Sequence, residues 1–341
     1  MATYIAAETV YPAGAARAVP SAARVLLIKA KGGLGNRMLS AVTGIALAEL
    51  GGRAPVIDWR DGMYLPVGEN LYPALFEDPV GIDPAQFDMR EDVAPALWSG
   101  RLSEQPVNII SRNFPTKHRS PFIYRRLSID LNGPDPAPPI GVFWSYLPKI
   151  LRMRAKLQRN PRFRGKSIDA IMHDLLARYF TPNAEVRAEV ERIFAGRKRP
   201  VIGVHIRFTD RKAPLPKIEA ALRKLRSDMP NSDIFLATDS AEAQNYILAR
   251  FDRVFAIEKQ MATAGQALHF SQGGMTDALR EAQNALIDMC ALAQSDWLIH
   301  SRHSTFSVVA SLIGGIPEAK QIDVDRHNAK VVVKRWFQAY A

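Results

Sequence analysis

The chain has 341 residues, 47% of them apolar and 23% charged. That suits two domains of ordinary size with substantial cores and excludes a disordered polymer. Lysine and arginine outnumber aspartate and glutamate by 45 to 34, a formal +11, so an anionic partner is expected: nucleotide, nucleic acid, lipid headgroup or anionic glycan. The single cysteine, Cys290, excludes an internal disulfide and a thiolate metal cluster and fits a reducing cytoplasm. No apolar run reaches the ~20 residues of a spanning helix. Residues 1–23 lack both a continuous apolar stretch and a basic leader, and read as a loose tail rather than a signal peptide.

Residues 24–30 predict the first strand, which runs directly into Lys31-Gly32-Gly33-Leu34-Gly35-Asn36-Arg37. A helix follows, with Met38, Val42, Ile45, Leu47 and Leu50 at apolar positions and Gly51-Gly52 at its end. Strand, glycine loop and helix together aim backbone N–H groups and a helix N-terminus at an anion, with Gly33, Gly35 and Asn36 as candidate donors. The spacing is neither GxGxxG nor a phosphate-binding GK[ST] loop, and a plain tight turn is the competing reading. Residues 54–59 predict a second strand, ending in the polar loop Asp58-Trp59-Arg60-Asp61-Gly62 at the same sheet edge. From Tyr64 to about Pro139 the pattern is irregular and rich in proline, either an acceptor-side surface or scaffold padding. The basic run of Lys149, Arg152, Arg154, Lys156, Arg159, Arg162, Arg164 and Lys166 is a solvated helix face. Alternatively it docks on an anionic membrane, where each basic residue contributes roughly 1 kcal/mol. Helical spacing returns over residues 167–194, and the breakers at 195–200 set a domain boundary.

Residues 201–207, Val-Ile-Gly-Val-His-Ile-Arg, predict a buried strand that carries His205 and Arg207 to its C-terminal end. With a side-chain period of two, Val201, Gly203, His205 and Arg207 share one face. In open α/β sheets ligands bind beyond the strand ends, and an arginine fork there suits a phosphate. A structural hydrogen-bond network is the plainer alternative. Helices and strands then alternate to residue 324, predicting a doubly wound parallel domain. Thr238-Asp239-Ser240 closes one of its strands, Asp288 interrupts an apolar helix, and Ser304, Thr305, Phe306 and Ser307 open another helix just after a strand. Singly these are caps or satisfied polar groups. Together they outline one cleft, with phosphate donors on one side and a carboxylate for a base or sugar hydroxyl on the other. The expected partition is a flexible tail (1–23), an acceptor-side α/β domain (24–196) and a Rossmann-like domain (197–325). A basic, aromatic segment (326–341) would pack back on the first domain.

In order, residues 201–207, 234–240, 286–293 and 304–310 resemble the donor-site motifs of GDP-fucose-dependent α1,6-fucosyltransferases. The resemblance is strongest to the rhizobial nodulation fucosyltransferase family, and extends to Ile57-Asp58-Trp59-Arg60 and Val254-Phe255-Ala256. The loop Gly32-Gly33-Leu34-Gly35-Asn36 looks more like that of α1,2-fucosyltransferases, which share the HxR strand. The resemblance implies a GT-B fold, two Rossmann-like domains facing across a cleft, with the nucleotide sugar bound by the second (197–325). It also implies inverting transfer from GDP-fucose, without metal, to an oligosaccharide or lipid-linked glycan. Arg207 would sit on the donor pyrophosphate, with Asp288 and the turn from Ser304 to Ser307 on the nucleotide. Mammalian-type α1,6 enzymes carry a glutamate soon after the HxR strand, thought to be the base. The corresponding position here falls near Leu215, which leaves Asp210 and Glu219 as the available carboxylates and the base open. Asp323-Val324-Asp325 reads as a strand end rather than a metal site. The rivals are a GT-B transferase using another nucleotide sugar, a non-catalytic glycan- or nucleotide-binding relative, a dinucleotide oxidoreductase and a nucleic-acid-binding protein. The last two lack, respectively, the GxGxxG spacing and a recognisable module.

Overall fold

Two runs of aliphatic and β-branched residues, β1 (Val25–Lys29) and later Val201–Ile206, are buried at every position, and each forms an interior strand of an all-parallel sheet. The computed structural model describes residues 23–115, 121–208, 213–259, 275–326, 328–329 and 333. The expected tail, most of the terminal segment and Asp210 therefore lie outside the described residues.

After β1 the glycine loop leads into α1 (Leu34–Leu50) and β2 (Ala54–Asp58). The irregular region contains α2 (Leu71–Leu75), β3 (Val93–Ala94), α3 (Pro106–Asn113) and α4 (Pro121–Arg125), and ends in β4 (Ile140–Trp144). The first sheet has the order β2-β1-β4-β3. Three helices follow, α5 (Arg154–Arg159), α6 (Ile168–Tyr179) and α7 (Ala184–Phe194). The second sheet is built from β5 (Val201–Ile206), α8 (Leu215–Asp228), β6 (Asp233–Thr238), α9 (Ala241–Leu248) and β7 (Val254–Phe255). It continues with α10 (Met275–Ala293), β8 (Trp297–His300), α11 (Thr305–Ile313) and β9 (Gln321–Asp323), and its order is β7-β6-β5-β8-β9. Register aligns the strand ends, Lys29 with Asp58 and Trp144, and Ile206 with Thr238, so the polar loops gather at one edge of each sheet.

Side-chain alternation sorts the strands into three apolar clusters. Val25, Leu27 and Val142 face outward to Trp98 and Leu127, and Ile202, Val204 and Ile206 face outward to Ile218 and Leu222. The inner faces, with Leu26 and Ile28 from one sheet and Phe235 and Leu298 from the other, share a single cluster filled by α1, α6, α7, α10 and α11. Cys290 lies in this core, where burial pushes its thiol up to about 12. The two sheets are thus joined by a common apolar layer, and α6 and α7, which precede the breakers at 195–200, belong to it.

Two elements differ from the sequence reading. The helical period over 167–194 is split into α6 and α7, because Pro182 bridges to Phe76 and Asn183 starts a new helix by accepting from the Val186 N–H. Strand β4 was hidden by Gly141, whose missing side chain leaves room for Leu26: a Cβ there would lie 2.9 Å from Leu26 Cδ1.

A second glycine controls how the sheets meet. A Cβ on Gly35 would lie 2.8 Å from both Phe306 N and Thr305 C, so the first turn of α1 rests directly on the first turn of α11. Gly35→Ala is expected to push the two turns apart and cost about 1–3 kcal/mol, as overpacking does. A lowered thermal unfolding midpoint would report it, and an unchanged midpoint would show that the contact yields.

Candidate active site in the cleft between the sheets

The strand-end loops of both sheets enclose one cavity of about 1100 Å³. The first sheet contributes the glycine loop at 31–36, the stretch from Asp61 to Tyr64, and two tyrosines, Tyr124 and Tyr146. The second contributes His205 and Arg207 after β5, Asp239 after β6, Lys259 beyond β7, one face of α10, and the start of α11.

Two helix starts meet the cavity wall. Neither α1 nor α11 has a side-chain cap, and both present their first-turn N–H groups and positive dipole ends there. The lining is of mixed charge, with Arg207, Lys31, Lys259 and Arg280 beside the carboxylates of Asp61, Asp239, Glu258, Glu281 and Asp288. The glycine loop is held open for this by Arg37, which is fully buried. Its Nε donates to the Gly32 carbonyl at 2.7 Å, its guanidinium pairs with Asp61 at 2.7 Å, and it lies over the Tyr64 ring. Gly32 takes φ +78°, the left-handed region that favours glycine, so the carbonyl can turn toward Arg37.

His205 stacks on Phe306 with ring centroids 4.9 Å apart and planes 13° from parallel. Burial, aided by the nearby charges of His300, Arg207 and Lys259, pulls its pKa down to about 3. The imidazole is therefore a neutral wall, and the permanent charge of this strand end is Arg207. Asp239 accepts the Phe208 N–H at 2.8 Å, which ties the ends of β5 and β6 together.

Two polar atoms in the cavity lining are buried and have no hydrogen-bond partner among the described residues, Asp288 Oδ1 and Ser304 Oγ. The other carboxylate oxygen of Asp288 pairs with Lys259. Burial raises the Asp288 pKa and the Lys259 ammonium works against it. An acceptor and a hydroxyl left unsatisfied inside a ligand-sized cavity are what a bound polar molecule completes.

Ten of the residues singled out in the sequence line this cavity: Gly33, Gly35, Asn36, His205, Arg207, Asp239, Asp288, Ser304, Thr305 and Phe306. Ser307 does not. Its hydroxyl is turned back to the Ser301 and Ser304 carbonyls at 3.1 and 3.3 Å, so it shapes the turn from inside. Glu219 is not part of the lining either. It is engaged by Arg223 at 2.7 Å, by Arg250 at 3.3 Å and by the Tyr246 hydroxyl at 2.5 Å. Asp210 lies outside the described residues. Asp323 Oδ1 accepts the N–H groups of Arg302 and Asp325, and Asp325 accepts from Ser301, so this acidic pair fastens the loop after β8. No group of three or more His, Cys, Asp or Glu able to hold a metal occurs among the described residues.

Sequence reasoning missed the α10 stripe of Glu281, Asn284 and Ala285 above Asp288, although the spacings of three and four from one another are those of a single helix face. It also missed Tyr64 and Tyr146, which come from loops, Tyr124, which comes from the short α4, and Lys259, whose place is set by the second sheet.

Comparison with known proteins bears out the resemblance read from the motifs. The family model of Nodulation protein Z (NodZ) matches residues 168–336. Nodulation protein Z of Azorhizobium caulinodans is 24% identical over 324 residues, covering 85% of this chain and 89% of that protein. The Bradyrhizobium diazoefficiens protein of the same name is 25% identical over 353 residues, covering 93% and 85%. A crystal structure of NodZ alpha-1,6-fucosyltransferase soaked with GDP-fucose superposes with a TM-score of 0.62 at 21% identity, covering 86% of this chain and 93% of that one. The fold is accordingly the expected GT-B type.

Because His205 is held neutral, the unfolded chain binds a proton at this residue between about 6.5 and about 3 that the folded chain does not. Its contribution to stability is present above pH 6.5 and lost as the pH falls toward 3. His205→Gln is expected to flatten this acid limb in urea unfolding curves recorded across the window. An imidazole NMR signal that titrates near 6.5 in the folded wild type would contradict it.

Proposed function

We propose that this chain is an inverting glycosyltransferase that moves fucose from GDP-fucose to a hydroxyl of an oligosaccharide or lipo-oligosaccharide, forming an α1,6 linkage without a metal ion. The observation that carries the reading is the convergence of Arg207 and two uncapped helix starts, α1 and α11, on one cavity between the sheets. Fucosyl transfer proceeds through an oxocarbenium-like state while charge accumulates on the departing diphosphate. Groups already aimed at that charge lower the barrier, and here a guanidinium and two dipole ends supply the role that a divalent cation has elsewhere.

In this reading Arg207 holds the pyrophosphate, with Ser304 Oγ and the first N–H groups of α11 beside it. Asp288 Oδ1, buried and unpartnered among the described residues, accepts a hydrogen bond from the base or the ribose of the nucleotide. His205 and Phe306 form a flat apolar face at the foot of the site. The first sheet, within residues 24–196, carries the acceptor against Tyr64, Tyr124 and Tyr146, and residues 197–325 carry the nucleotide sugar. Asp210, three residues beyond Arg207, is the proposed base that takes the proton of the attacking hydroxyl. The solved NodZ structure soaked with GDP-fucose supports the choice of donor.

We also place the enzyme in the cytoplasm, in peripheral contact with an anionic membrane. No helix among the described residues is long and apolar enough to cross one. Of the basic run, Lys156 is engaged with the Leu131 and Gly133 carbonyls and Arg162 with Glu49, while Arg154, Arg159, Arg164 and Lys166 remain exposed.

In a thermal-shift series without divalent metal, GDP is expected to raise the unfolding midpoint, and NAD and a short DNA duplex to leave it unchanged. Arg207→Ala should abolish the GDP shift and the transfer activity together. Asp210→Asn should keep the shift and lose about 10²–10⁴-fold in kcat, the range of general base catalysis. Stabilisation by NAD or DNA in place of GDP would reject the assignment. Cosedimentation with phosphatidylserine vesicles, absent with phosphatidylcholine and reversed by salt, is expected for the membrane contact and should be lost when Arg154, Arg159 and Arg164 are changed to Gln.

A further inference from the structure

A second cavity, of about 500 Å³, lies behind Tyr124 and Tyr146, the same two tyrosines that wall the donor cleft. It is built from the end of α4, the chain leading to β4 and the start of the basic run, and its lining includes Arg125, Lys149 and Arg152. Its floor is apolar, from Ile129, Leu131 and Phe143. Its serine hydroxyls are committed to the backbone. Ser128 Oγ donates to the Trp144 carbonyl at 2.8 Å and accepts the Trp144 N–H at 2.9 Å, and Ser145 Oγ donates to the Leu147 carbonyl at 2.7 Å.

Beside the two tyrosines, what the cavity offers a ligand is charge. Three cations line it against one carboxylate, that of Asp130. Burial, with Arg152 and then Arg125 adding to it, pulls the Lys149 ammonium down to about 8. Burial and Arg125 likewise lower Arg152, with Asp130 opposing. Three like charges gathered on one concave surface oppose one another, and an oxyanion among them would reverse that sign. The partition toward the donor cleft is cationic too, since Lys31 Nζ lies 5.4 Å from the centroid of the Tyr124 ring.

We propose that this cavity is an acceptor subsite for a sugar that carries an oxyanion, a carboxylate or a sulfate, gripped by Arg125, Lys149 and Arg152. Tyr124 and Tyr146 then pack the adjoining sugar of the same acceptor and lead it into the donor cleft. The proposal deepens the reading of that cleft as a fucosyl donor site and rests on it. It gives a specific task to the first part of the basic run, distinct from its exposed remainder.

The test is isothermal titration of the full chain with three tetrasaccharides: hyaluronan (carboxylate), 6-O-sulfated chitotetraose (sulfate) and chitotetraose (neutral), with GDP titrated in parallel. At least one charged tetrasaccharide is expected to bind about tenfold tighter than the neutral one, with the advantage shrinking as salt is raised. The better of the two identifies the oxyanion. Lys149→Met combined with Arg152→Met should erase the preference and leave GDP binding intact. Both side chains are half-buried, so Arg125→Gln, at an exposed position, serves as the second variant and should reduce the preference severalfold. Equal affinity for charged and neutral ligands, or a preference that survives Arg125→Gln, overturns the subsite. Absence of GDP binding in the wild type overturns the donor reading instead, while the tetrasaccharide comparison still judges this cavity.

Discussion

The first turn of one helix lies against the first turn of another at Gly35 and Thr305–Phe306, and the cleft depends on that contact. Helix starts carry partial positive charge, so bringing two together is unfavourable unless an anion answers both. Only a residue without a side chain permits the approach on the α1 side. The contact fixes the separation of the two sheets at the cavity wall, and it carries Phe306 against His205 on β5. A single backbone-to-backbone touch thus sets width, charge and apolar floor together.

The supporting polar structure is built on buried ion pairs, one of which, Arg37–Asp61, ends at the cavity wall. On the first sheet, Lys29 and Asp58 pair at 2.7 Å in a buried position, Asp58 also receives Arg60 at 2.8 Å, and Arg60 reaches Asp88. Burial pushes Asp58 up, but Lys29 and Arg60 outweigh it and hold the carboxyl below its ordinary range. Arg37 is likewise spent on Asp61 and the glycine loop. The cations that line the cavity are others, Arg207, Lys31, Arg280 and Lys259, the last paired with Asp288.

Much of this was legible in the sequence, for identifiable reasons. Strand β5 could be read because its residues are apolar until His205, and the glycine loop because its composition announces close backbone approach. The donor half followed from βαβ alternation, which puts functional residues at strand ends whatever the details. Glu219 does not join the lining, because proximity in sequence says nothing of which side of α8 a residue occupies; Arg223, Arg250 and Tyr246 claim it instead. Ser307 was misassigned because a hydroxyl at a helix start can serve either a ligand or its own turn. The three tyrosines lie in loops or in the short α4, where only tertiary packing decides what points where.

The shared apolar layer bears on how such a chain acquires its structure during synthesis. Leu26 and Ile28 lie under α1, and α1 in turn packs against α10 and α11, which end at residues 293 and 313. Part of the surface of α1 therefore stays uncovered until the chain through α11 has emerged, unlike domains that condense one after another. Termination before α11 would release a chain in which that apolar surface is still exposed, a natural substrate for chaperones and proteases.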